Sequence, residues 1–448
     1  MKAIRASFLD FVDDPFFAEE RAAVRYVADG ALVVDGDRIA DFGAWPDIAA
    51  RHRALQLAHF PDRLVLPGFV DTHVHYPQTE MIAAYGERLL EWLERYTFPT
   101  ELRFRDRVHA DRIADRFCDL LLASGTTTAQ VFTTTFPQSV DALFEATSRR
   151  GMCVVAGLTG IDRPGSAPPE YLDTADGFYR DSKALIARWH GRERCRYAVT
   201  PRFALGSTRE QLARCGQLLA EHPDVWVNTH MSENEAEIAQ VAALFPEARD
   251  YLNVYERAGI VGPKFTAGHA VHLDDDAWRR MAAAGASVSF CPASNLFLGS
   301  GLFALEKAKR AAAPVPVGLG SDVGAGNSFC LLRVLDDAYK VAALRGQKLS
   351  AMKALFLATL GGARALHLDR EIGSFEPGKF ADFVVLDPRA TPVMAQRADS
   401  PPPAGDAAQG SGHAHVDHAA FGLVALGDDR AVTATYVAGR QVYPRPTA

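Results

Sequence analysis

The chemistry of this chain starts with two histidines one residue apart, His73 and His75, in residues 67–78, Pro-Gly-Phe-Val-Asp-Thr-His-Val-His-Tyr-Pro-Gln. Strand side chains alternate with period two, so both imidazoles project to one face, a geometry suited to chelating a divalent cation. The apolar run Leu64, Val65 and Leu66 leads in and Pro77 stops a regular strand, which places the pair at the carboxyl end of a buried strand. One His-x-His alone is a weak signal, but three further strand ends add to it. A strand over 225–230 ends in His230, one over 265–269 ends in His269, and one over 315–322 ends in Asp322. Taken singly, a strand-end histidine is an ordinary hydrogen-bonded residue. Imidazoles and a carboxylate gathered on one rim, all usable as ligands to a borderline ion, have no comparable structural explanation. His230 also opens His-Met-Ser-Glu233. The carboxylate lies where a strand gives way to a helix, so it can lean over a metal without binding it and relay protons between an activated water and a substrate. The bland alternative makes Glu233 a first-turn residue favoured by the helix dipole.

These residues need a scaffold that brings distant strand ends together. Residues 67–371 alternate apolar strands with amphipathic helices, about eight times over. That pattern predicts a distorted (β/α)8 TIM barrel with insertions, whose active site lies at the carboxyl face of the strands. Ser207 and Glu210 read as a capping box that opens one of the helices. Residues 1–66 read as short strands, with a hairpin turning at Asp35-Gly36, and strands return at 383–387 and 431–443. Segments 1–66 and 372–448 are therefore expected to assemble one small β-sandwich domain. Within the second, residues 398–420 are rich in Pro, Ala, Gly and Asp and are expected to form a mobile loop. Its His413, His415 and His418 are expected to be solvated, with adventitious metal binding as the alternative.

Composition narrows the function classes. A formal charge of −7 offers no basic field for a nucleic-acid backbone. Six cysteines without a Cys-x-x-Cys pair suit buried thiols in a reducing compartment better than a disulfide framework. No stretch approaches the roughly 18 consecutive apolar residues of a membrane span, and the N-terminus lacks a long uncharged apolar core. The expectation is a cytoplasmic enzyme that engages neither nucleic acid nor membrane.

Five segments together carry a resemblance. Residues 67–75, Thr-His-Met-Ser-Glu-Asn at 229–234, Ala-Gly-His-Ala-Val-His-Leu at 267–273, Cys-Pro-Ala-Ser-Asn-Leu at 291–296 and Gly-Leu-Gly-Ser-Asp at 318–322 resemble the amidohydrolase superfamily. Within it, residues 75–78, 90–99 and 200–203 are similar to the guanine deaminase branch. The likeness spans essentially the whole chain. It implies one Zn2+ per subunit, with Fe2+ as an alternative, held by His73, His75, His230 and Asp322, with His269 hydrogen-bonding the water at the metal. The fourth strand ends Thr-Pro-Arg-Phe, with no lysine to carboxylate into a bridging ligand, which argues against the dinuclear branch. His272 falls on a non-ligand position. The alternative guanine-deaminating architecture, with His-x-Glu and Pro-Cys-x-x-Cys, is absent. The implied reaction is hydrolytic deamination of guanine to xanthine and ammonia in purine catabolism, by a homodimer, with Glu233, His269 and Asp322 catalytic.

For substrate contacts the sequence points to Gln78, Arg202 and Phe203, beside His230, Glu233 and Asp322. A guanidinium at Arg202 can engage the C6 carbonyl of guanine, whereas the C6 amine of adenine would leave donor facing donor. Phe203 could pack on the ring, and Gln78 could bond a ring nitrogen or the C2 amine. Arg202 as a rim salt bridge is the structural alternative. Two rival functions stay open at this level: a related deaminase or dehalogenase acting on 8-oxoguanine, a pterin or an s-triazine, and a catalytically inactive scaffold of the same fold.

Overall fold

The structure is a computed structural model and describes residues 1–52, 54–86, 88–400 and 411–444. Two compact units divide the chain, residues 1–70 with 120–128 and 329–448, and residues 71–119 with 129–328. Eight parallel strands close into a barrel: Phe69–His75, Thr126–Phe132, Cys153–Gly157, Cys195–Pro201, Trp226–Met231, Phe265–His269, Ser287–Phe290 and Val317–Leu319. Each pairs with its neighbour, and the last returns to the first through Leu319 opposite Asp71. A two-residue strand, Thr159–Gly160, follows the third and pairs in parallel with the end of the fourth. Most barrel strands are buried along their whole length, as a parallel sheet covered on both faces requires.

The barrel interior accommodates its polar strand-end residues by using glycine where a ring must pass close to a backbone. A Cβ on Gly268 would lie 2.4 Å from Cε1 of His73, and one on Gly320 would lie 2.7 Å from the His73 Cβ. Both positions have to be bare for the His73 ring to stand upright between neighbouring strands.

The other sheet is mixed, with seven strands from both ends of the chain; in spatial order they are Arg440–Pro444, Val432–Val437, Phe383–Leu386, Gln56–Pro67, Lys2–Phe11, Val24–Asp35 and Arg38–Ala44. Ile39 of its last strand shares one apolar core with Ala434 and Tyr436 near the opposite edge, as in a β-sandwich whose sheet curls on itself. The expected hairpin is there, with Gly36 at φ +60° in the turn and Asp35 paired with Arg38.

Three local expectations are corrected. Leu64, Val65 and Leu66 do not lead into the His-x-His strand: they belong to Gln56–Pro67 of the terminal sheet, where they pair with Phe383–Leu386, and the barrel strand starts afresh at Phe69. An apolar run shows burial but not which sheet buries it. The helix Arg209–Glu221 is capped by Thr208, whose hydroxyl accepts from the Gln211 amide, whereas the Ser207 hydroxyl donates to the Gln211 side chain. The mobile loop is the third. Pro392–Asp399 and Ser411–Leu426 are helices, and residues 401–410 lie outside the described residues, as does the side chain of His413. Composition averaged over the segment hid the apolar face of the second helix, where Ala414, Val416, Ala420, Leu423 and Val424 are buried. His415 is exposed, but His418 is not a solvated loop residue: its ring meets the Arg397 carbonyl at 2.9 Å. All six cysteines are buried free thiols. Among the described residues, no helix is long and apolar enough to cross a membrane.

Candidate metal centre and active site

His73 and His75 stand at the end of the first barrel strand, both buried. The main chain beyond the eighth strand is tied to them: the Asp322 amide donates to the His73 carbonyl at 2.8 Å, and the His75 amide donates to the Val323 carbonyl at 2.9 Å. This ladder turns the Asp322 carboxylate towards the two rings. Oδ1 lies 3.4 Å from Nε2 of His73 and 3.3 Å from Nε2 of His75, and Nε2 of His75 lies 3.2 Å from Nε2 of His230. A tetrahedral ion with ligands at about 2.0–2.1 Å has ligand–ligand edges of about 3.3–3.4 Å. These three separations match such edges.

Their protonation agrees. The Nδ1 of His230 sits 2.7 Å from the Arg202 carbonyl, an acceptor only, so it carries the proton and leaves the Nε2 lone pair for the centre. Burial lowers the pKa of His73 and of His230, and brings His75 down to about 4. Burial pushes the Asp322 carboxyl up, but the imidazoles of His73 and His75 outweigh it and hold it well below the usual range. Both ring nitrogens of His73 lack a hydrogen-bond partner among the described residues. Among the described residues His73, His75 and Asp322 form one group close enough to hold a divalent cation, and His73, His230 and His269 form another that shares His73. Phe132 walls this set, stacking on His75 at 4.5 Å and lying 4.4 Å from the His230 ring.

His269 stands one step outside. Its Nδ1 donates to Oδ1 of Asn295 at 2.9 Å, and its Nε2 faces Glu233 Oε2 at 3.5 Å and Asp322 Oδ2 at 3.8 Å. Glu233 is buried and accepts from the Ser300 hydroxyl at 3.1 Å. Burial, then the neighbouring Asp322 charge, raise its pKa to about 8. Ser232, His269 and Asp322 all hold positive φ, at 50°, 68° and 49°. Such backbone costs about 1–3 kcal/mol per residue and persists because the surrounding ladders over-determine it.

One cavity is lined by His75, Gln78, Arg202, Phe203, His230, Glu233, His269 and Asp322, with Leu89, Trp92 and Leu298 on its apolar side. Every site residue singled out from the sequence is thus brought to this cavity except His73, which lies in the cation-facing set behind it.

The comparisons with known proteins bear on this arrangement. Residues 64–442 match the model of the amidohydrolase family. This chain belongs to that family. Among the relatives of this amidohydrolase, the guanine deaminase of Escherichia coli (strain K12) is 46% identical over 99% of this chain and 98% of its own length. The guanine deaminase of Mus musculus is 35% identical over 85% of this chain and 83% of its own. The crystal structure of guanine deaminase from Bradyrhizobium japonicum superposes with a TM-score of 0.95 at 45% identity, covering 99% of both chains.

The amidohydrolase site also uses residues that the sequence reading passed over. Asp71 is buried and accepts from the Ser321 amide at 3.0 Å, from the Ser321 hydroxyl, and from the His73 amide at 3.2 Å, so one carboxyl ties both ligand-bearing strand ends. Its position two residues before His73, on the same strand face, was the available signal. Glu237 accepts from the Glu233 amide at 3.1 Å and from the Tyr251 hydroxyl, and closes a capping box with Asn234, which sets the turn that carries Glu233. The Asn-x-x-Glu spacing could have shown it. Glu101 had no comparable signal.

Two outcomes test this description. Gly268→Ala pushes the His73 ring off its position, at an overpacking cost of about 1–3 kcal/mol. Bound divalent metal, measured by elemental analysis after dialysis, should fall well below one ion per chain, and full occupancy would contradict it. Protons compete with a cation for imidazole nitrogen. Because folding depresses the pKa of these rings, with His75 at about 4, metal content should stay level from pH 8 down to roughly 5 and fall as pH approaches 4. Loss that begins near the ordinary histidine value of about 6.5 would count against the geometry.

Proposed function

We propose that this amidohydrolase hydrolyses guanine to xanthine and ammonia, with one zinc ion held by His73, His75, His230 and Asp322. The reading rests on one juxtaposition: a guanidinium and a carboxamide, Arg202 and Gln78, line the same cavity as Glu233, His75, His230 and Asp322. Its relatives at 46% and 35% identity over most of their length are guanine deaminases, which supports the same substrate. Residues 67–371 serve as the catalytic barrel in this proposal, and residues 1–66 with 372–448 as the sandwich. A cytoplasmic homodimer acting in purine catabolism completes it.

When bound, zinc would supply Lewis acidity, lowering the pKa of a water towards neutrality. The chain's own residues do the rest. Asp322, an ionised carboxylate at the edge of the cavity, accepts a proton from the attacking water. Glu233, whose surroundings keep its carboxyl protonated near neutral pH, delivers a proton to N3 of the purine as C2 becomes tetrahedral and carries both OH and NH2. It then takes the hydroxyl proton and passes it to the amine, so that ammonia leaves and the C2 carbonyl of xanthine forms, and the proton held by Asp322 returns to Glu233 to restore both carboxyls. His269, its tautomer set by Asn295, points Nε2 at both carboxylates and holds the water between them. Arg202 donates to the C6 carbonyl, and Phe203 packs against the ring.

Glu233→Gln keeps the shape and removes the exchangeable proton. Guanine turnover should fall by about 10³-fold or more while metal content is unchanged, and near-normal kcat would take Glu233 out of the mechanism. Arg202→Gln should cost roughly 2–4 kcal/mol in kcat/KM for guanine, the scale of an abandoned buried polar partner. An unaltered kcat/KM would refute that contact.

A further inference from the structure

Behind the two residues proposed to read the purine lies a third that does not line the cavity. Glu101 is fully buried. Its Oε1 accepts from the Gln78 side-chain amide at 2.9 Å, and its Oε2 accepts from Nη1 of Arg202 at 2.8 Å and from the Tyr171 hydroxyl. An ionised carboxylate offers acceptors only, so each of the three neighbours has to turn a donor to it.

For Gln78 this removes a freedom that a side-chain amide ordinarily keeps. Its Oε1 already takes the Gly324 amide proton, at 3.1 Å. A flipped amide would set carbonyl against carboxylate at one end and NH2 against N–H at the other. What Gln78 can still turn to the cavity is its second amide proton. Arg202 is held likewise: Nη1 is committed to Glu101, the guanidinium lies 5.6 Å from the Phe98 ring, and its other N–H groups are left for a ligand. The carboxylate also neutralises a guanidinium with almost no access to solvent. This stretch of wall therefore presents donors and no acceptor.

We propose that Glu101 is a positioning residue for substrate selection: by fixing Gln78 and Arg202 as donors, it makes the cavity accept a purine with a carbonyl at C6 and reject one with an amine there. The inference rests on the guanine reading above and adds to it the group that sets the polarity of the reading wall. It explains why a carboxylate stands beside a substrate-reading arginine at all: without it, either reading residue could turn to suit a donor on the ligand.

The test uses guanine and 2,6-diaminopurine, which share the C2 amine and differ only in carbonyl against amine at C6. Ammonia release by the metal-loaded full-length protein gives kcat/KM for each, with the detection limit standing in where turnover is not seen. Glu101→Gln should lower the guanine to 2,6-diaminopurine ratio at least tenfold with metal content unchanged. Tyr171→Phe, which removes one donor from Glu101 and leaves the hydrogen bonds of Gln78 and Arg202 to Glu101 in place, should lower it in the same direction by less. It carries the test should the first variant fail to fold. A structural role would depress both substrates together and leave the ratio in place, so a ratio within twofold of the wild type in a folded variant overturns the inference. A wild-type protein that releases no ammonia from guanine instead defeats the guanine reading itself.

Discussion

The site depends on four acceptor atoms gathered at the carboxyl rim of the barrel, where little solvent is present to screen them. Nε2 of His73 and His75 lie 3.4 and 3.3 Å from Oδ1 of Asp322, and Nε2 of His75 lies 3.2 Å from Nε2 of His230; His73, His75 and Asp322 are buried and His230 is half-buried. Lone pairs so crowded repel one another unless a cation sits among them, and a buried carboxylate costs several kcal/mol unless it is paired. Much of the surrounding structure can be read as what it takes to hold that arrangement. Left-handed backbone at His269 and Asp322 redirects the chain just past the strands, bare glycines at 268 and 320 leave room for the His73 ring, and the Arg202 carbonyl fixes a tautomer.

Two carboxylates beside that point are pushed apart in proton affinity by their neighbours. Asp322 is held low by two imidazoles, while Glu233, equally buried but facing the Asp322 charge, is raised to about 8. One acceptor and one donor of protons at neutral pH thus arise from the same functional group, separated by environment alone. A second tier of acids supports them from behind. Asp71 ties the ligand-bearing strand ends, Glu237 sets the turn before the helix, and Glu101 orients the reading wall.

The hydrolytic reading joins these tiers into one path. In the proposed hydrolysis the cation-facing set and Glu233 meet the reacting carbon, and Arg202 and Gln78 meet the far edge of the ring. Asp71, Glu237 and Glu101 touch neither, yet each decides where a reacting or reading group stands. A barrel suits this division because every strand end can deliver one side chain to the rim while its own interior positions anchor the neighbours.

By itself the sequence determined the barrel, through its repeated strand and helix periods, and the cation-facing set, because His73 and His75 two apart on a strand must share a face and His230, His269 and Asp322 each stand at or just past the end of a strand of their own. These are local properties that period and residue type carry. Tertiary structure alone decided which sheet takes up Leu64–Leu66, that an apolar face folds residues 411–426 into a helix, and what the buried acids do. Asp71 finds Ser321 250 residues away, and Glu101 finds Arg202 101 residues away. No periodicity links such partners. A carboxylate in the sequence looks the same whether it will face water or be enclosed by three donors, and only the packed chain supplies the enclosure.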